Sequence, residues 1–226
     1  MNVLVACEES QTVTKCFRDI GDNAFSCDID DCSGGHPEWH IKRDVLQIIN
    51  GNCSFYTMDD SFHTIVGEWD IVIGFPPCTY LSNAGACRLY PHKGEIDMDR
   101  YYKGLLAKEF FMSLYNCSCN KIAIENPVSS KIYNMPPYTQ EIQPWQFGHP
   151  YTKKTRLWLK NLPELLPTDI VTPISSYVPS HTSSKDRNKY GSAKRGEDSK
   201  NRAKTFVGIA KAMSYQWGSK NNDNKK

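Results

Sequence analysis

Residues 70–78 read Asp70-Ile71-Val72-Ile73-Gly74-Phe75-Pro76-Pro77-Cys78, and this stretch decides the fold. Asp70 to Ile73 has the continuous apolar character of a strand buried on both faces. Gly-Phe-Pro-Pro then makes a stiff turn, because each proline fixes φ and removes a donor. The turn delivers Cys78 to the strand's carboxyl end, the edge where open α/β sheets bind ligands. Two readings of Cys78 stand. Free cysteines are commonly small buried hydrophobes, and the chain has nine. A thiol on a rigid loop at that edge is also the place for a nucleophile.

Downstream, a second apolar strand from Lys121 to Ile124 ends in Glu125-Asn126-Pro127, with the proline as its stop. If both strands share one parallel sheet, Cys78 and Glu125 share an edge. A thiolate beside a carboxyl group suits covalent attack on an electron-poor ring, the carboxyl holding or protonating a ring nitrogen. The plainer account is an Asx turn at Asn126 closing the strand, with Glu125 solvated. A helix from about Asp99 to Tyr115, with Leu105, Leu106, Phe110 and Leu114 on its apolar side, links the two strands in a right-handed crossover.

Upstream, Asn2 to Ala6 is a short apolar strand. A helical pattern follows with Val13, Phe17 and Ile20 on one stripe, closed by Gly21. The next strand, Ala24 to Cys27, runs into Asp28-Ile29-Asp30. A strand, a helix and a strand followed by an acid is how such folds hold an adenosine ribose. The loop Cys7-Glu8-Glu9-Ser10-Gln11 contains no glycine. Two acids there would repel a phosphate, which argues against a nucleoside triphosphate or NAD, yet they tolerate a cationic sulfonium. Glu8 and Glu9 read equally as acids favouring a helix macrodipole.

Phe75-Pro76-Pro77-Cys78, Glu125-Asn126-Pro127 and Thr155-Arg156-Leu157-Trp158-Leu159, in that order, resemble the DNA cytosine-5 methyltransferases, most closely their short phage-type members. The resemblance spans roughly residues 2–160, with a weaker echo at 205–217. It implies an α/β fold: a Rossmann-like class I methyltransferase sheet of six or seven strands, helices on both faces, and a very small target-recognition insert. It implies S-adenosylmethionine as cofactor and double-stranded DNA as partner, the target cytosine flipped out because its carbon is stacked within the duplex. Cys78 would attack C6, Glu125 would hold N3 and the exocyclic amine, and Arg156 would pair with O2 or hold the Cys78 loop. Asp28 would hold the ribose and Asp44 the adenine amine, with Ala6, Ser10 and Pro77 completing the cofactor site. Departures from the pattern are the glycine-free first loop, Thr79 for a glutamine, Pro127 for a valine, and a single arginine flanked by Lys153 and Lys154. None removes a catalytic group.

Charge is divided along the chain. Residues 181–226 carry 12 of the 27 Lys+Arg and only four of the 25 Asp+Glu, leaving an acidic body and a basic C-terminal region. Such a region either tracks a phosphate backbone or is a solvated tail. Within it, Lys185, Arg187, Lys189, Lys194 and Arg195 are the expected nucleic-acid contacts, joined by Ser82 and Arg88 in the loop after Cys78. That loop, Ser82 to Asp97, is expected to close over the base as a lid.

The expected organisation is a catalytic core at 1–162, a short basic target-recognition segment at 163–204, a helix packing back at 205–218 and a tail at 219–226. No apolar run approaches a transmembrane length, and because the sequence opens directly on a strand, no signal peptide is expected. Cysteine spacing offers no zinc site, so no metal is expected, and a reducing cytoplasm (a host's, for a phage protein) is the expected location. No surface stripe marks an assembly helix, so a monomer is expected. Two other functions stay open: C5 modification of a free pyrimidine nucleotide, and a catalytically silent nucleic-acid-binding homologue.

Overall fold

Seven strands pair into one sheet in the computed structural model, which describes residues 1–86, 88–92, 94–177 and 204–220. They are β1 (Asn2–Ala6), β2 (Asn23–Asp28), β3 (His40–Lys42), β6 (Ile71–Gly74), β7 (Ile122–Pro127), β8 (Gln140–Ile142) and β10 (Thr155–Lys160), in the order β3-β2-β1-β6-β7-β10-β8. The first five run parallel; β10 is antiparallel to both β7 and β8. This is the Rossmann-like α/β sheet expected from the sequence. A separate antiparallel pair, β4 (Cys53–Tyr56) and β5 (Phe62–Ile65), is inserted before β6, and β9 (Tyr151–Thr152) pairs with β11 (Ser175–Ser176).

Alternation along the central strands divides the core between the two faces. Leu4, Ala6, Val72, Ile122, Ile124 and Trp158 point to one side, where Phe111 and Leu114 of helix α3 (Met98–Tyr115) cover them. Val3, Val5, Ile71, Ile73, Ala123, Leu157 and Leu159 point to the other, beneath α1 (Thr12–Asp19) and α4 (Val207–Trp217). A one-turn helix, α2, spans Asn83–Ala86. The period of two thus explains why β1 and β6 read as unbroken apolar runs: both faces are buried.

α4 packs on α1 although the two are far apart in sequence. Trp217 Nε1 donates to Pro163 O at 3.1 Å, and Ser219 N donates to Asp22 Oδ2 at 3.2 Å across 197 positions.

Two expectations are corrected. Leu105 and Leu106 do not face the core; Leu106 is 64 % exposed, and with Tyr102 they form an apolar stripe on the outer side of α3. Leu114 and Phe110 do pack on the core, with Phe111 and Gly104, so the expected side is right for two of its four residues and α3 is apolar on two sides. The reason given for a monomer, that no helix carries a surface stripe, therefore does not hold. Second, β7 does not give way to a turn after Ile124: it includes Glu125 and Asn126, and Pro127 is its last residue, as the proline stop implied. The strand reaches Pro127 because β10 pairs alongside it, Thr155 opposite Pro127, while β6 has already ended at Gly74 opposite Ile124. With no neighbour on the β6 side, the missing N–H of proline costs no ladder bond there.

Candidate active site

β6 and β7 are parallel neighbours, so the turn at 75–78 and the end of β7 leave the sheet at the same edge. The two segments are also bonded to each other. Asn126, fully buried, donates from Nδ2 to the carbonyl of Pro76 at 3.2 Å. Past Cys78, Ser82 pairs with Ser129 in an antiparallel bridge, Ser130 N donates to Leu81 O at 2.8 Å, and Asn83 N donates to Val128 O at 2.7 Å. Cys78 itself is half-buried, and its carbonyl accepts from Ser82 N at 2.9 Å. The Asn126 bridge replaces the local Asx turn considered from sequence: the side chain serves a segment 50 positions away rather than its own backbone.

Glu125 is partly buried, and desolvation raises its carboxyl above the ordinary range, with the charge of Lys153 opposing. Burial thus shifts the balance toward the neutral form, the one that can donate a hydrogen bond. In register, Leu157 lies opposite Glu125, and Arg156 lies opposite Asn126. Directly opposed residues of an antiparallel pair share a face, so Arg156 projects to the face opposite Glu125. There its Nε donates to Glu141 Oε2 at 3.4 Å and its guanidinium lies 4.2 Å from the centre of the Tyr138 ring. The cation facing Glu125 is Lys153, whose ammonium also sits about 6 Å from the rings of Tyr177 and Phe206. Sequence reading noted Lys153 only as a flank of the arginine.

At the neighbouring end of β1, Ala6 is buried between Cys27 and Gly74. Cys7 follows in the left-handed region (φ 59°), and Glu8 turns back under α1. Its carboxylate accepts from Val13 N at 2.6 Å, Thr14 N at 3.2 Å and Thr14 Oγ1 at 2.7 Å. Glu8 thus caps α1, and burial still lifts its pKa to about 7. Ser10 Oγ pairs with Thr12 Oγ1 at 3.2 Å.

Asp28 and Asp44 gather where β2 ends; the charges of both raise the thiols of Cys7 and Cys27, after the larger effect of burial. Asp28 accepts from Asp30 N at 3.0 Å, and burial raises its own carboxyl. Asp44 caps the turn at 45–47 by accepting from Leu46 N at 3.0 Å. Beside the β1 and β6 exits, and lined by neither of these acids, lies a recess of about 50 Å³ formed by Cys7, Glu8, Glu9, Ser10, Phe75, Lys204 and Thr205. Two acids at the ends of adjacent strands fit the hydroxyl and amine donors of an adenosine. The recess fits a small polar end but not a whole nucleoside, since one water already occupies about 30 Å³ of liquid.

Pro77 and Arg88 are exposed beside this edge; Ser82 accepts from Gly85 N at 3.1 Å, and Arg88 N donates to Gly85 O at 3.2 Å. Lys185, Arg187, Lys189, Lys194 and Arg195 lie outside the described residues, as does most of the 163–204 segment. Its first part is anchored: β11 pairs with β9, and Gln216 exchanges two 2.8 Å bonds with the backbone of Leu166. Among the described residues, no three His, Cys, Asp or Glu side chains are placed to hold a metal, and no helix is long and apolar enough to cross a membrane.

No protein-family profile matches the chain, and no curated protein matches it. A crystal structure from E. coli, provisionally assigned as a DNA modification methyltransferase encoded within a prophage, is similar in part. It is 14 % identical, with a TM-score of 0.43, over 77 % of this chain and 53 % of that one. The chain thus spans about half the length of that protein. A likeness of this size shows neither a family nor an activity.

Proposed function

We propose that the chain transfers a methyl group from S-adenosylmethionine to C5 of cytosine in double-stranded DNA, through a covalent Cys78 adduct at C6. One observation carries this reading: the Asn126–Pro76 bond and the Ser82–Ser129 bridge hold the Cys78 turn against the strand that carries Glu125. A thiol and a carboxyl shifted toward its neutral form, at one sheet edge, supply the two roles that addition to a pyrimidine requires. The similar prophage structure is assigned to DNA modification, which agrees with the reading without supporting it.

In this mechanism the Cys78 thiolate forms a bond to C6 while Glu125 donates its hydrogen to N3, so charge does not accumulate on the ring. The electron pair released from the C5–C6 double bond makes C5 nucleophilic. S-adenosylmethionine, when bound, supplies the electrophilic methyl group. A proton then leaves C5 for solvent and its electron pair restores the C5–C6 double bond as the S–C6 bond breaks, returning the bonding pair to the Cys78 thiolate, and the N3 hydrogen goes back to Glu125. Asp28 and Asp44 would hold the adenosine, and Lys153 the pyrimidine oxygen on the Glu125 side. Arg156 would brace β8 against β10 through Glu141.

A second reading, a nucleic-acid binder without catalysis, is favoured by the closed β1 exit, where Glu8 occupies the helix donors and the recess is small. Mass spectrometry with S-adenosylmethionine and an oligonucleotide containing 5-fluorocytosine separates the two. Fluorine does not leave C5 as a proton does, so the enzyme is expected to be trapped as an adduct carrying one methyl group. In Cys78→Ser, trapping should fall by on the order of 10³-fold or more. Absence of an adduct with the unsubstituted chain, across double-stranded, single-stranded and RNA sequences, sinks the methyltransferase reading.

A further inference from the structure

The Cys78 turn is held from a second side, by a residue that the proposed chemistry does not use. Arg100 stands in the first turn of α3, its backbone N–H capped by Asp97 Oδ1 at 3.0 Å. From there its Nη2 donates to the carbonyls of Thr79 at 3.3 Å and Gly85 at 3.1 Å. Its guanidinium lies 5.0 Å from the centre of the Tyr80 ring. A single planar group thus ties both ends of the segment that follows the cysteine. A cation at a helix N-terminus works against the macrodipole, so helix stability does not account for an arginine here; the loop it holds does.

We infer that Arg100 is a positioning residue for Cys78. The Asn126 bond fixes the chain before the thiol, at Pro76, and Arg100 fixes the chain after it, at Thr79. Between these two points only Pro77 and Cys78 remain, and Pro77 has its φ locked. The thiol is left with its own side-chain torsion as its main freedom. Lysine would not fully replace Arg100: both carbonyl bonds leave the one nitrogen Nη2, which an ammonium could imitate, but lysine lacks the planar guanidinium that lies over the Tyr80 ring.

The inference rests on the proposed function only for its catalytic consequence; the positioning itself is read in the thiol. The experiment is alkylation of the full chain by iodoacetamide, without DNA or cofactor, followed peptide by peptide in the wild type, Arg100→Lys and Arg100→Ala. Opening of the turn should raise the Cys78 rate by about threefold or more in Arg100→Ala, with a smaller rise in Arg100→Lys, while Cys32 and Cys53 keep their rates. A Cys78 rate unchanged or lowered in both variants overturns the inference. Labelling of the buried Cys16 and Cys119 in Arg100→Ala would mean that the fold has loosened; Arg100→Lys and Tyr80→Leu then decide by the same criterion. A labelling effect without any 5-fluorocytosine adduct would sink the methyltransferase reading alone. An adduct with no labelling effect would sink the positioning role alone.

Discussion

β1 and β6 lie side by side in the sheet, yet their carboxyl ends are closed in opposite ways. After β1 the chain closes on itself: Glu8 folds under α1 and satisfies the helix N–H groups with its own carboxylate. After β6 the turn is closed by others: Asn126 from β7, the 128–130 segment, and Arg100 from α3. The first solution uses the loop's polar group to finish the fold. The second fixes the loop from outside and leaves its tip, Cys78, half-exposed at the edge. A sheet edge is readied for chemistry when its loops are held rigid mainly from outside, and of these two exits the β6 exit comes nearer to that condition.

The largest test of this contrast is Glu125→Gln. The amide keeps the shape but has no proton to give as the ring is attacked, and adduct formation should fall by about 10²–10⁴-fold. Because the Glu125 carboxyl is raised, the active protonated form persists to higher pH than for an exposed glutamate, and the rate should decline only above that range. A Glu125→Gln rate near wild type would remove the β6 exit from the chemistry.

The β1 exit is tested by Glu8→Gln. Between the ordinary value of 4.5 and about 7, the unfolded chain releases this proton while the folded chain keeps it. Stability should therefore fall as pH rises through that window, by on the order of 3 kcal/mol. Glu8→Gln should flatten the slope in denaturant melts taken from pH 4 to 8. An unchanged slope would mean that Glu8 does not hold its proton and that the closure is looser than the hydrogen bonds imply.

Asn126→Ala comes next. It removes the bond to Pro76 from a buried position and should cost about 1–3 kcal/mol in unfolding free energy, with hydrogen exchange rising at 76–83 rather than at β1. Exchange spread evenly over the sheet would deny that the bracing is local. The smallest effect is expected from Arg156→Lys: under about 1 kcal/mol, as for other partly exposed pairs, with adduct formation little changed. A large loss of adduct with normal stability would return Arg156 to the reaction centre.

Much of this architecture was legible. The runs at Asn2–Ala6, Asp70–Ile73 and Lys121–Ile124 are apolar because parallel strands are covered on both faces, and the structure finds strands there. Motif order placed Cys78 and Glu125 at one edge, since parallel strands share their carboxyl ends. What escaped depended on contacts between segments distant in sequence. The faces of Arg156 and Glu125 follow from the pairing register of β7 with β10, which the strand sequences alone do not state. The two-sided apolar pattern of α3 let Leu105 and Leu106, which face outward, be grouped with the core residues Phe110 and Leu114. Arg100 did leave a signal, a cation at the wrong end of a helix, but its meaning needs the loop that lies against it. The short strands β3, β8, β9 and β11 and the β4–β5 pair carry too few alternating positions to stand out.

The packing of α4 on α1 has a consequence for the ribosome. Val13 and Phe17 of α1 are buried beneath a helix made about 200 positions later, as the Asp22–Ser219 bond across 197 positions shows. At 5–20 residues per second, the apolar face of α1 stands uncovered for roughly ten to forty seconds of synthesis. During that interval the growing chain presents the same kind of surface that chaperones bind, and it ceases to do so only once α4 has emerged.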